Sequence, residues 1–260
     1  MADWGWVTDD ELARVVLISP HPDDAVLSCG RFLAAHPGVD VVTVFAGIPT
    51  SYPDPAGRWT VLSGFGAADD VVSARRAEDA DALGFLAARP TWLDFVEGYL
   101  SPETPPAPVD EIAAALAAQL ERLEPTLVLV PMGLANPEHV RTHDAALLVR
   151  ATSTDDVIDS DAGRAPAWLC YEDIAYKHIP GQLAWRVAKL FRAGVWPTPV
   201  AMPLDRSDAR KREAMARYPS QVRALEADWR LWPRLDAPTP EQYWRLDAPP
   251  PGWEAMIDLV

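Results

Sequence analysis

The sequence predicts an α/β fold: a mostly parallel sheet with helices packed on both of its faces. Two observations carry this expectation. Short runs of Val, Ile and Leu alternate with longer segments of helical period, the order that right-handed βαβ units produce. The short runs are also apolar without interruption, as parallel strands covered on both faces are.

Taken in order, residues 14–19 (RVVLIS) read as a buried strand, ended by Pro20. Residues 24–35 carry Leu27, Phe32 and Leu33 at helical spacing. Residues 39–45 (VDVVTVF) form a second buried-type strand. Residues 46–68, with Gly, Pro, Ser and Trp59 and little periodicity, predict a long loop of the kind that carries function. A helix follows over 69–88, its positive end beside Asp69 and Asp70. A third strand covers 91–95, and a proline-rich connector 102–108. An Ala/Leu-rich amphipathic helix covers 109–123 and a fourth strand 126–130 (TLVLV). After a polar loop, a helix runs from about 139 to 151, and 167–171 supply a fifth strand. The rest is less regular: 208–228 look helical, interrupted at Pro219, and the tail is rich in tryptophan. Without a repeat or a sharp shift in composition, a single Rossmann-like domain over 1–260 is expected, with a core of about 14–175 and a C-terminal extension of about 176–260.

Charge narrows the partners. The 38 acidic residues outnumber the 23 basic ones, for a net charge of -15. Such a surface repels phosphate backbones, which argues against nucleic acid and anionic membranes. A small substrate that is neutral, or cationic after reaction, suits it better. Cys29 and Cys170 sit in apolar surroundings and read as buried thiols rather than a disulfide framework. No basic, then apolar, leader opens the sequence and no run is long enough to span a bilayer, so a cytoplasmic location is expected. Self-association is left open.

In parallel sheets, ligands bind outside the carboxyl ends of the strands. His21-Pro22-Asp23-Asp24 lies at one such end, directly after the first strand. Zinc accepts imidazole nitrogen and carboxylate oxygen, and a catalytic site leaves one position to water. His21 and Asp24 can supply two ligands, leaving Asp23 to take a proton from that water; equally, either aspartate could cap the helix. The loop after the fourth strand offers Asn136, Pro137, Glu138 and His139, then His143 one helical turn on. If strands one and four are neighbours, His139 can face His21 and Asp24. His143 is the competing ligand or a surface histidine.

These segments resemble the PIG-L/LmbE-like family of zinc-dependent N-deacetylases. LISPHPDDAVLSCG is similar to the family's opening signature, and DVVTVFAG to its second strand. Arg75-Arg76-Ala77-Glu78 with Leu83-Gly84 resembles its arginine-bearing helix, LDFVEGYL its acidic loop, and LVLVPMG with NPEH its distal histidine loop. CYEDIAYK and KREAMARYPSQ resemble later segments. Within the family, the opening signature and YEDIAY look most like deacetylases acting on N-acetylglucosaminyl groups of glycopeptide-antibiotic precursors. The resemblance implies zinc, or another divalent metal, on His21, Asp24 and His139, with Asp23 as general base and then acid. It also implies substrate contacts from Arg75 or Arg76, near Glu97, and an N-acyl amino sugar or glycoside as substrate. One departure stands out: Asn136 occupies the place of a family histidine that helps stabilise the oxyanion. Asparagine can donate a hydrogen bond there but carries no charge. This predicts slower chemistry, a substitute donor such as His143 or His178, or an altered substrate. Glu138, in place of an aspartate, could orient a ligand histidine.

Three rival readings make different demands. A nucleotide-binding protein needs a glycine-rich turn after strand one, where this chain has carboxylates. A serine hydrolase of the α/β type needs a GxSxG elbow, which the sequence lacks. A non-enzymatic or catalytically impaired binding member of the same fold has Asn136 as its only support.

Overall fold

The computed structural model describes residues 5–157, 165–232 and 241–246. Among these, the elements in chain order are β1 (Val15–Ser19), α1 (Asp24–Ala35), β2 (Asp40–Thr43), α2 (Arg58–Leu62), α3 (Val71–Phe85), β3 (Arg89–Trp92), α4 (Val109–Leu123), β4 (Leu127–Pro131), α5 (Pro137–Val157), β5 (Ala167–Tyr171), α6 (Gln182–Arg192), β6 (Thr198–Val200), α7 (Ala209–Met215), α8 (Pro219–Trp229) and β7 (Tyr243–Arg245). One sheet of seven strands is ordered β3-β2-β1-β4-β5-β7-β6. β1 to β5 are parallel, while β7 pairs antiparallel with β5 and with β6.

Side-chain alternation along the strands builds two cores. Val15, Leu17, Val41, Leu127, Leu129 and Leu169 face α1, α3, α7 and α8, where they meet Phe32, Leu33, Leu83, Met215 and Leu225. Val16, Ile18, Val42, Val128, Val130 and Trp168 face α4 and α5, against Ile112, Leu116, Ala145 and Val149. Every strand residue of β1, β4 and β5 is buried, which is why their sequence shows no polar alternation.

β1 and β4 are sheet neighbours, in register from Val15 opposite Leu127. The chain leaves β1 for α1 toward one side and β4 for α5 toward the other. That crevice is where the fold places a ligand.

Three expectations need correction. The third strand is Arg89–Trp92 rather than 91–95, and so includes Pro90. The long loop 46–68 contains α2. The C-terminal third is more ordered than expected: it adds α6 and two strands to the same sheet. The bend expected at Pro219 is present, with that proline opening α8.

Candidate functional site

The loops after β1, β3, β4 and β5 converge on a cavity of about 250 Å³, lined among others by His21, Asp23, Asp24, Trp59, Arg75, Glu97, Tyr99, Asn136, Glu138, His139 and Tyr176. His21, Asp24 and His139 each offer a ligand atom, and these three atoms lie within 4.8 Å of one another. Asp24 Oδ2 is 2.9 Å from His21 Nδ1 and 3.1 Å from His139 Nε2. Ligand atoms about 2.0–2.1 Å from a tetrahedral zinc lie roughly 3.4 Å apart, so the cluster already has nearly the spacing of an edge of that tetrahedron.

Each imidazole is held from behind by a carboxylate. Asp173 Oδ1 meets His139 Nδ1 at 2.6 Å, and Glu138 Oε2 meets His21 Nε2 at 2.7 Å. Each carboxylate favours the tautomer with its N–H turned toward it, leaving the other ring nitrogen to face Asp24 with its lone pair. Asp173 is itself fixed, since its Oδ2 accepts the Leu134 N–H at 3.0 Å. Glu138 Oε1 accepts the Gly98 N–H at 2.6 Å. This donor set, two oriented imidazoles and a carboxylate, fits a divalent cation with a position left for solvent.

The field of the site agrees. Burial disfavours the charged form of His139, but Asp24 and Asp173 outweigh it and raise its pKa to about 9. Burial likewise opposes protonation of His21, and Glu97, Asp24 and Glu138 override it, raising the pKa well above the usual value. Asp24, despite burial, is held far below the carboxylate range by His139 and His21. The cluster therefore attracts positive charge, as a cation site should.

Asp23 is a different case. It precedes α1 at φ 130°, ψ -36°, a conformation that costs a non-glycine residue energy. It makes no side-chain capping bond to α1, so the helix-cap reading of this aspartate does not hold. Burial, then the adjacent Asp24, pushes its pKa well above the ordinary value, against the pull of Arg75 and His21.

The two arginines separate. The Arg75 side chain is 3% exposed, ion-paired to Glu97, and donates to the Tyr99 hydroxyl at 3.2 Å and the Pro22 carbonyl at 3.4 Å. Arg76 turns away from the cavity to the Ala46 carbonyl and the exposed Asp94. A substrate contact from Arg76 is therefore corrected: consecutive helical residues point about 100° apart, and α3 turns only Arg75 inward. His143 is wholly buried, with Nδ1 2.8 Å from the Pro131 carbonyl, and lies outside the three-ligand cluster. Neither His143 nor His178 lines the cavity. Gly133 makes room for His143: at φ +74°, a Cβ there would sit 2.6 Å from the His143 Cβ.

Asn136 caps α5. Its Oδ1 accepts the Glu138 N–H at 2.8 Å, and its Nδ2 donates to the Tyr176 hydroxyl at 3.1 Å. Trp59, from the long segment 46–68 expected to carry function, lines the cavity. In the tryptophan-rich tail, Trp253 and the Trp229 side chain lie outside the described residues.

Asp173 and Tyr176 were not among the expected site residues. The signal was available, for both directly follow a strand at its carboxyl end, within the segment YEDIAY. Tyr99, Gln221, Leu225 and Asp228 also line the cavity, the last three from α8; Tyr99 falls within LDFVEGYL and Gln221 ends KREAMARYPSQ, while Leu225 and Asp228 lie in neither segment.

Known proteins agree with this architecture. The crystal structure of Dbv21, the A40926 pseudoaglycone deacetylase, matches with a TM-score of 0.70 and 26% identity, over 90% of this chain and 97% of that one. The zinc-inhibited form of teicoplanin deacetylase Orf2 matches with a TM-score of 0.68 and 26% identity, over 92% of this chain and 100% of that one. GalB, the 4-carboxy-2-hydroxymuconate hydratase of Pseudomonas putida KT2440, shares the fold with a TM-score of 0.57 at 18% identity, over 91% of this chain and 97% of that one. The comparison with curated proteins gives no match. The deacetylase neighbours and the buried His/Asp cluster support a metal-dependent deacetylase. The profile described as PIG-L, GlcNAc-PI de-N-acetylase, matches residues 16–149, from β1 through the first turns of α5, and the chain belongs to that family.

Proposed function

We propose that this protein is a zinc-dependent hydrolase that removes an N-acyl group, acetyl in the simplest case, from an amino sugar carried on a small glycoside. The observation that carries the reading is the convergence of three ligand atoms from β1 and β4 loops beside a strained aspartate that does not cap its helix. A cation held by His21, Asp24 and His139 would supply Lewis acidity toward the amide carbonyl and acidity to a water.

The chain's own residues do the rest. Asp23 takes the proton of the attacking water as its oxygen bonds to the carbonyl carbon. It returns that proton to the nitrogen as the C–N bond breaks, giving a carboxylate and a free amine. Glu97 and Tyr99, locked to Arg75, present polar groups for sugar hydroxyls, and Trp59 presents an aromatic face. Asn136 lines the same cavity, and its amide is oriented by the first turn of α5.

A second cavity of about 600 Å³ shares Tyr99, Asn136 and Glu138 with the first and is lined by Phe45, Phe95 and a run of prolines. It favours a substrate with an apolar group larger than a bare sugar. The net charge of -15 suits a product that gains positive charge.

The test is release of amine and acetate from N-acetylglucosaminyl substrates by the zinc-loaded protein. Asp23→Asn is expected to keep its metal and lose at least ~10²-fold in kcat. Turnover near the wild-type rate in that variant removes Asp23 from the role of base.

A further inference from the structure

The amide oxygen of Asn136 is committed. It accepts the Glu138 N–H at 2.8 Å, which fixes which end of the side chain is oxygen and turns the nitrogen toward Tyr176. The Tyr176 oxygen is thus an acceptor at 3.1 Å, and its own hydrogen points elsewhere than toward Asn136. The ring is held edge-on against His139, with centroids 5.0 Å apart at 88°. Tyr176 lines the cavity that also holds His21, Asp23, Asp24 and His139. Its turn is pinned from below: the Tyr176 N–H donates to the Asp173 carbonyl at 2.9 Å, and the Asp173 side chain holds His139. One turn after β5 thus fixes both a histidine ring and a phenol beside it.

We propose that the Tyr176 hydroxyl, oriented by Asn136, is the group that donates a hydrogen bond to the carbonyl oxygen as negative charge develops on it. The inference rests on the deacetylase reading above. When the water oxygen bonds to the carbonyl carbon, the π electrons of the C=O bond move to oxygen. Tyr176 keeps its proton and shares it in a hydrogen bond, so nothing is added to or removed from the reaction. A phenol hydroxyl can accept one hydrogen bond while donating another. Asn136 acts through Tyr176: a donor on one side of the phenol oxygen turns its hydrogen to the other. On this arrangement a neutral pair, set on two different loops, does the work expected of a single histidine.

The test compares Tyr176→Phe, Asn136→Asp and the double variant, zinc-loaded, in two measurements. The first is kcat and KM on an N-acetylglucosaminyl substrate. The second is binding of a methylphosphonamidate of glucosamine, in which a tetrahedral phosphorus and its oxygen replace the carbonyl. Tyr176→Phe is expected to lower kcat by about 10²-fold, as loss of one oxyanion donor does, with KM changed less than about threefold. It should weaken the phosphonamidate by a similar factor and leave binding of the product amine unchanged. Asn136→Asp turns the donor beside the phenol into an acceptor, which draws the hydroxyl hydrogen back. It should cost as much as Tyr176→Phe, and the two losses should not add. A kcat within about threefold of wild type in Tyr176→Phe overturns the proposal, as do additive losses. If the wild type hydrolyses no amide, the deacetylase reading falls; the phosphonamidate result then decides Tyr176 alone, an undiminished affinity in Tyr176→Phe overturning its role as a donor.

Discussion

At the scale of single residues, the site is a matter of which atom each side chain has left to offer. His139 gives Nδ1 to Asp173 and His21 gives Nε2 to Glu138, so each ring turns its remaining nitrogen to Asp24. Partners of this kind typically contribute ~10–100-fold to metal affinity. Asp173→Asn is therefore expected to weaken zinc by that factor, measured by competition with a chelator, while the fold persists. An unchanged affinity would mean that the ring is positioned by packing alone. The HPDD segment could be singled out in the sequence because its spacing is local: the proposed ligands and the proposed base stand within four positions after one strand end. The same local reading could not say which arginine faces inward. That depends on the rotation of α3 about its axis, which is set by the packing of Ala82 and Leu83 in the core that the sheet lines.

Secondary-structure elements were legible wherever propensity and burial agree. The limits of α1, α4 and β5 coincide with the expected ones, because unbroken apolar runs and amphipathic Ala/Leu patterns have one stable use each. β3 was misplaced because of Pro90. A proline argues against a central strand, but β3 is the sheet's edge, where a missing N–H leaves no partner unsatisfied. The opposite edge, β6, carries Pro199 for the same reason. α3 is also joined to the far end of the fold. The buried Asp79 on it accepts from Trp92 Nε1 at 2.7 Å and from the Tyr218 hydroxyl at 2.7 Å. Burial raises the pKa of Asp79 to about 6, against the pull of those two donors. Its proton is thus bound more tightly in the native state than in the unfolded chain. Its contribution to stability is fully present below about pH 4 and is lost as pH rises to about 6, by on the order of 2–3 kcal/mol. Asp79→Asn should flatten that slope in urea unfolding followed across pH; an unchanged slope would assign the pH dependence to other groups.

Over the whole molecule, the C-terminal segment completes what the first five strands begin. β7 inserts between β5 and β6 and runs against the parallel strands, and Arg245 on it pairs with Glu11 near the start of the chain at 2.8 Å. Both side chains are buried. Removing one partner leaves the other charged and desolvated, so Arg245→Ala should cost about 3–5 kcal/mol in denaturant unfolding. A loss below ~1 kcal/mol would show that Glu11 finds another partner or solvent. α8 closes the cavity with Gln221, Leu225 and Asp228, so the same C-terminal segment that finishes the sheet also walls the site.

The sequence alone determined the parallel α/β core, the two loops that carry His21, Asp24 and His139, and the family these resemble. Each is written in short-range patterns: unbroken apolar strands, helical periods, and motifs at strand ends. The tertiary structure alone decided that Asp173 and Glu138 orient the rings, that Arg75 rather than Arg76 faces inward, that Tyr176 meets Asn136, and that the last described strand joins the sheet. These depend on contacts between residues from 22 to more than 200 positions apart, such as Arg75 with Glu97 and Glu11 with Arg245. No local periodicity encodes such a meeting, because it is fixed by how whole elements pack, and that is a property of the folded chain.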